Sequence, residues 1–178
     1  MKIQQVLDEE LSSIQVGKDE LQKLLDVARD VLDVLKKGGF TAHLGGSLAK
    51  GTVVTKDVQD IDIFVVLPSE KDTTLFSKSI EKLDFGKDFE MKVVHGSRDY
   101  VQLIGEKITI ELIPTVLVKN PEDAENVTDV SLFHVDYVKS EIEKNPTVAD
   151  DILLAKAFCS SQGCYGAEGY IRGFSGYA

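Results

Sequence analysis

An α+β fold, with a small mixed or antiparallel sheet flanked by helices, is what this 178-residue sequence predicts. Three observations predict it. Apolar residues recur at helical spacing towards both ends of the chain, alternating apolar segments fill the middle, and glycine and proline punctuate those middle segments at short intervals, as hairpins require.

The elements follow in order. Ile3, Val6, Leu7, Leu11 and Ile14 mark a first helix that Gly17 interrupts. Leu21, Leu24, Leu25, Ala28, Val31, Leu32 and Leu35 form one stripe of a second, stopped by Gly38-Gly39 after Lys36-Lys37, where cations suit the helix dipole. Residues 40–44 alternate like a strand, Gly45-Gly46-Ser47 reads as a turn, and 48–51 as the start of a short helix. Residues 61–67 are the strongest strand signal, ended by Pro68. Phe76, Ile80 and Leu83 predict a helix over 71–83. Strands are expected at 91–95, 99–104 and 107–113, separated by Gly96-Ser97 and Gly105-Glu106 and closed by Pro114. Residues 119–130 read as a solvated loop, and helices are expected at 135–144 and 148–162. The glycine-rich residues 163–178 give no clear element.

Composition narrows the function classes. Hydrophobic residues make up 43% of the chain, enough for a packed core. A formal net charge of -10 argues against a broad basic surface for nucleic acid, although a local groove can be basic on an acidic protein. The N-terminus lacks the apolar segment of a signal peptide, and no apolar run reaches membrane-spanning length, so a cytoplasmic protein without a membrane partner is expected. Cys159 and Cys164 are the only cysteines, too few for a disulfide scaffold, and they lack zinc-spaced partners.

The acids within apolar strands carry the chemistry. Asp60 and Asp62 alternate with Ile61 and Ile63, so both carboxylates share one face of their strand. Carboxylates in such a strand are costly unless a partner compensates, and a divalent cation with oxygen ligands is the natural one. Glu111 repeats the pattern between Ile110 and Leu112. If its strand lies beside 61–67, three carboxylates converge, and two Mg²⁺ ions bridging a triphosphate become feasible. The alternative is a pair of strands with one wet face.

Upstream, Gly45-Gly46-Ser47 precedes Asp60 by enough chain for a short helix and a return strand. Glycine lets backbone approach a phosphate, helix N-termini attract anions, and Ser47 and Lys50 add a hydroxyl and a charge. Taken alone the segment is an ordinary turn, and it is not a Walker A loop.

Gly45-Gly46-Ser47 followed by Asp60-Ile61-Asp62 resembles the signature of the DNA polymerase β-like nucleotidyltransferases, and more narrowly the archaeal (class I) CCA-adding tRNA nucleotidyltransferases. Ser131-Leu132-Phe133-His134, Leu153-Leu154-Ala155-Lys156-Ala157-Phe158, Gly163-Cys164-Tyr165-Gly166-Ala167-Glu168 and Gly173-Phe174-Ser175-Gly176-Tyr177 are similar to further segments of that family. The resemblance implies a nucleotidyltransferase (polymerase β-like) fold with a C-terminal helical neck. It implies a division of the chain into a catalytic head, 1–118, and a neck-like segment, 119–178, completing the nucleotide site, with no counterpart of the family's C-terminal RNA-binding domains expected within these residues, whether as a head-and-neck fragment or a minimal enzyme. It implies that Asp60, Asp62 and Glu111 hold Mg²⁺, and that Gly46, Ser47, Lys50, His134, Lys156 and Tyr165 bind nucleotide. Its partners would be CTP, ATP and a tRNA or other RNA 3′ end. Two positions depart from the family: Glu111 stands where Asp is common, and Lys50 where Arg is frequent.

Plainer readings stand beside these. His134 reads without the family as a half-buried loop histidine, His43 as structural, and His95 has no assigned role. Lys156 could snorkel from an apolar helix, and Tyr165 could pack at a helix end. Arg98 and Arg172 are candidate RNA or phosphate contacts, with solvated surface positions as the ordinary alternative. A nucleotidyltransferase acting on a protein or small molecule, or a nucleotide-binding module without turnover, are the competing functions.

Overall fold

The computed structural model describes residues 2–165. Two helices come first, α1 (Ile3–Ile14) and α2 (Lys18–Lys37). α2 buries Leu24, Ala28, Val31 and Leu35 along one stripe, with Asp19 and Glu20 in its first turn and Lys36 and Lys37 in its last. Then come β1 (Thr41–Leu44), the short helix α3 (Gly46–Lys50) and β2 (Gln59–Leu67). Short helices α4 (Glu70–Thr73) and α5 (Phe76–Ile80) lead to β3 (Glu90–Val94), β4 (Tyr100–Ile104) and β5 (Ile108–Val116). Two longer helices, α6 (Ser131–Lys144) and α7 (Thr147–Ser161), close the described chain, α7 lying against α1. No described helix is long and apolar enough to cross a membrane.

The sheet is mixed, in the order β1-β2-β5-β4-β3; β2 and β5 run parallel and the other pairings are antiparallel. Its two faces do different work. Ile61, Ile63, Val65, Val101, Leu103, Ile110 and Leu112 are essentially unexposed and join the α2 stripe, Phe76 and Ile80 in one core. Each such burial contributes roughly 1.5–3 kcal/mol, which fixes the register. Strand alternation then commits Asp60, Asp62, Gln102 and Glu111 to the opposite face.

Several expectations are corrected. The helix expected over 71–83 is two short helices broken at Thr74 and Leu75. There Thr73 and Thr74 hydroxyls donate to the carbonyls of Glu70 (2.7 Å) and Lys71 (2.8 Å), and such local bonds compete with helix continuation. Pro114 does not end β5, which runs on to Val116. The Pro114 carbonyl accepts the Thr128 hydroxyl and Val116 N–H donates to Asp129, so this side of the strand faces away from β2. A missing N–H there removes nothing from the β2 ladder. Helix α6 starts at Ser131, four residues earlier than expected, so His134 is helical rather than in a loop.

The segment 119–130 is not simply solvated. It holds two 3₁₀ turns, Pro121–Asp123 and Val127–Val130, and Asp129 is buried. Its partner is Arg98, likewise buried rather than a solvated phosphate contact, whose guanidinium takes both Asp129 oxygens and also pairs with Glu70. Asp129 further accepts the N–H groups of Val116 (2.8 Å) and Asn126 (3.1 Å), so the network pins the end of β5 to the start of α6. Burial works against ionisation of Asp129, but Arg98 and the backbone donors outweigh it and hold the carboxyl below its ordinary range. A depressed carboxyl stabilises the fold fully above the unfolded value near pH 4, and that contribution fades as pH falls through the lower folded value. Arg98→Leu, which leaves Asp129 buried and unpaired, is expected to lower stability by about 3–5 kcal/mol in urea unfolding at pH 7.

Candidate active site

The site is assembled where α3 meets the wet face of β2. Gly45 N–H donates to the Asp62 carbonyl at 2.8 Å, tying the glycine segment to the acidic strand. Gly46 lies at φ 57°, in the left-handed region, and opens α3; Gly46 and Ser47 therefore belong to the helix rather than to a turn before it. A Cβ on Gly46 would stand 1.6 Å from Asp62 Oδ2, so only glycine fits against that carboxylate.

The parallel β2–β5 register sets Asp62 opposite Glu111. Gln102, opposite Glu111 on the other side, donates its amide to Glu111 Oε1 at 2.9 Å. Burial, then Glu111, then Asp60 push the Asp62 carboxyl up to about 6, with Lys50 and Lys56 partly opposing. Lys56 pairs with Asp60 Oδ2 at 2.8 Å, with both side chains about half exposed. An exposed pair four residues apart contributes at most about 1 kcal/mol, so a stronger cation can displace it. Among the described residues, no group of three or more His, Cys, Asp or Glu is arranged to hold an ion by itself.

Cations line the facing side. Lys156 is buried rather than snorkelling, and its Nζ donates to the Thr52 carbonyl at 2.5 Å. Burial, then the nearby Lys50 and Lys56, bring its pKa down to about 8. Burial likewise lowers Lys50, partly offset by Asp62. The lysines would gain from an anion and Asp62 from a cation, a demand that a metal-complexed polyphosphate meets with one ligand.

Gly46, Ser47, Lys50, Asp60, Asp62, Glu111, His134, Lys156 and Tyr165 all line one cavity of about 440 Å³. His43 and His95 do not line it; His43 is exposed, and His95 Nδ1 lies 2.9 Å from Asp99 Oδ1. Arg172 and the neck segments beyond Tyr165 lie outside the described residues. The sequence reading missed Lys56 and Gln102. A cation four residues before Asp60 was a visible signal for the first. Gln102 lies between the apolar Val101 and Leu103, as Glu111 does between Ile110 and Leu112, but its link to Glu111 exists only once β4 and β5 pair.

Residues 25–159 match the nucleotidyltransferase domain. The chain belongs to the nucleotidyltransferase domain family. This nucleotidyltransferase-domain chain is 33% identical over 172 residues to a CCA-adding enzyme of Sulfurisphaera tokodaii, covering 96% of this chain and 40% of that protein. It is 35% identical over 163 residues to a CCA-adding enzyme of Nanoarchaeum equitans, covering 90% and 40% respectively. The chain thus spans about two fifths of the length of these relatives. A structure of the non-canonical poly(A) polymerase complex GLD-2–GLD-3 superposes with a TM-score of 0.71 at 12% identity, over 99% of this chain and 56% of that one. That likeness shows the fold, an α+β nucleotidyltransferase fold of the polymerase β-like type.

Proposed function

We propose that the protein transfers a nucleoside monophosphate from CTP or ATP to an RNA 3′ end, most specifically in addition of CCA to tRNA. The observation that carries this is the single cavity in which three carboxylates on two adjacent strands face three lysines. The likeness to CCA-adding enzymes supports the acceptor assignment.

Asp60, Asp62 and Glu111 would hold Mg²⁺, and the carboxyl raised towards neutrality in that corner is the observation that fits a divalent ion there. When bound, the ion would neutralise phosphate charge and polarise the reacting phosphoryl group. Lys50, Lys156 and His134 would receive the triphosphate, with Gly46 and Ser47 presenting first-turn N–H groups of α3. Tyr165 would contact the nucleotide. The RNA 3′-oxygen then bonds to the α-phosphorus as the bond to pyrophosphate breaks. Gln102 would keep the longer Glu111 side chain aimed at the corner. In this reading 1–118 is the head and 119–178 the neck-like segment, and the site takes side chains from both.

The test is incorporation of labelled CTP or ATP, with Mg²⁺, into a tRNA or minihelix lacking its 3′ end. Incorporation abolished by Asp60→Ala and Asp62→Ala supports the reading. A second reading, a nucleotide-binding module without turnover, draws on the hold of Lys56 on Asp60 and predicts binding with no incorporation. Label on a protein or small molecule would instead assign a different acceptor.

The pH dependence of binding gives a separate prediction. Lys156 loses its proton near pH 8, so triphosphate affinity is expected to fall roughly tenfold between pH 7 and 9.5, and Lys156→Met is expected to flatten that fall. Fluorescence or calorimetric titration at the two pH values measures both.

A further inference from the structure

The end of α7 holds a pair of thiols that neither the fold nor the proposed reaction uses. The helix closes with Gln162 as its cap and Gly163 at φ 65°. Cys164 N–H donates to the Cys159 carbonyl at 2.9 Å and Gly163 N–H to the Ser160 carbonyl at 3.0 Å. This is a Schellman motif, in which the residue two past the cap lies against the third residue from the helix end. Here those residues are Cys164 and Cys159. With standard bond lengths on either side, the 2.9 Å hydrogen bond keeps their Cα atoms within about 7 Å, the range in which a disulfide can close. Both thiols are free and partly exposed, so an oxidant can reach them. Tyr165, the next residue, lines the cavity.

We propose that Cys159 and Cys164 form a reversible dithiol–disulfide site that fixes the α7 cap and, through it, Tyr165. The class of oxidant is a peroxide. One thiolate sulfur attacks a peroxide oxygen and becomes a sulfenic acid as the O–O bond breaks and one water leaves. The second sulfur displaces the hydroxyl as a second water, and the S–S bond forms, so two thiols lose two hydrogens and the peroxide is reduced to water. A dithiol returns the pair to thiols by exchange. Bridges at exposed sites are of the labile, regulatory kind.

The test uses the full 178-residue chain. Hydrogen peroxide is expected to remove both free thiols and lower the mass by two hydrogens, with the protein still monodisperse and both changes reversed by dithiothreitol. Exchange of the Gly163 and Cys164 amides is expected to slow at least threefold in the bridged form. Cys159→Ser and Cys164→Ser are expected to keep the reduced protein's exchange and to lose the response. Thiols that stay free at peroxide levels oxidising free cysteine, or that bridge only between chains, overturn the proposal. So does a bridge that leaves exchange at Gly163 and Cys164 unchanged. None of these readouts needs nucleotide, so failure of the transferase reading is distinguishable. The proposal rests on that reading in one arm only: the bridged form is expected to bind CTP or ATP at least threefold more tightly, and equal affinity with bridge and slowed exchange present overturns the link to Tyr165.

Discussion

Asp62→Asn is expected to abolish nucleotide transfer and, at the same time, to make the protein more stable above pH 6. The two effects come from one cause. Asp62 is half-buried beside Glu111 and Asp60, and its carboxyl is raised to about 6, so its charged form is disfavoured by folding. For a carboxyl raised in the folded state, folding binds the proton. The penalty is absent below the unfolded value near pH 4, grows as pH rises, and is complete above about pH 6. Removing the charge should therefore add on the order of 2 kcal/mol at pH 8 and almost nothing at pH 4, as read in urea unfolding at the two pH values. Transfer is expected to fall at least ~10³-fold, because in the proposed function Asp62 would hold the ion that stabilises the transferring phosphoryl group. Mg²⁺ should raise the melting temperature of the wild type and leave the variant unmoved. A variant less stable at pH 8 than the wild type would mean that the corner is not short of a cation, and the site assignment would go with it.

Gly46→Ala is expected to be the second large effect. The added methyl would lie 1.6 Å from Asp62 Oδ2, so either the carboxylate or the start of α3 must move. A non-glycine residue at φ 57° adds strain of roughly 1–2 kcal/mol. Since displacement of a reacting group by about 1 Å costs around 10²-fold, transfer should drop by that much or more. Gly51→Ala separates the two causes. It carries comparable strain at φ 71°, but its Cβ would meet nothing within 4 Å. It is expected to lose similar stability and to keep most activity, with steady-state kinetics and urea unfolding measured on both variants. Equal activity in the two variants would mean that the close approach at Gly46 has no bearing on the site.

The sequence and the structure divide the description unevenly, and the division follows the range of the forces involved. The α2 stripe, the 61–67 strand and the alternation that puts Asp60 and Asp62 on one face were legible, because helix and strand periodicity are local. The break at Thr74 and the continuation of β5 through Pro114 were not. Each depends on which hydrogen-bond partner wins, a hydroxyl within the helix in one case and a distant 3₁₀ turn in the other. Arg98 was misjudged for the same reason: its partners Glu70 and Asp129 are 28 and 31 residues away. Thus the sequence by itself determined the fold class and the polar faces of β2 and β5, and the nine candidate residues it singled out are among those that line the cavity. Only the tertiary structure decided that β2 and β5 pair in parallel with Asp62 against Glu111, that Gln102 and Lys56 hold two of the acids, and that Lys156 is buried. Periodicity assigns a side chain to a face, but the neighbour it meets there, and hence its charge state, is set by strand order and register, which the whole core fixes at once.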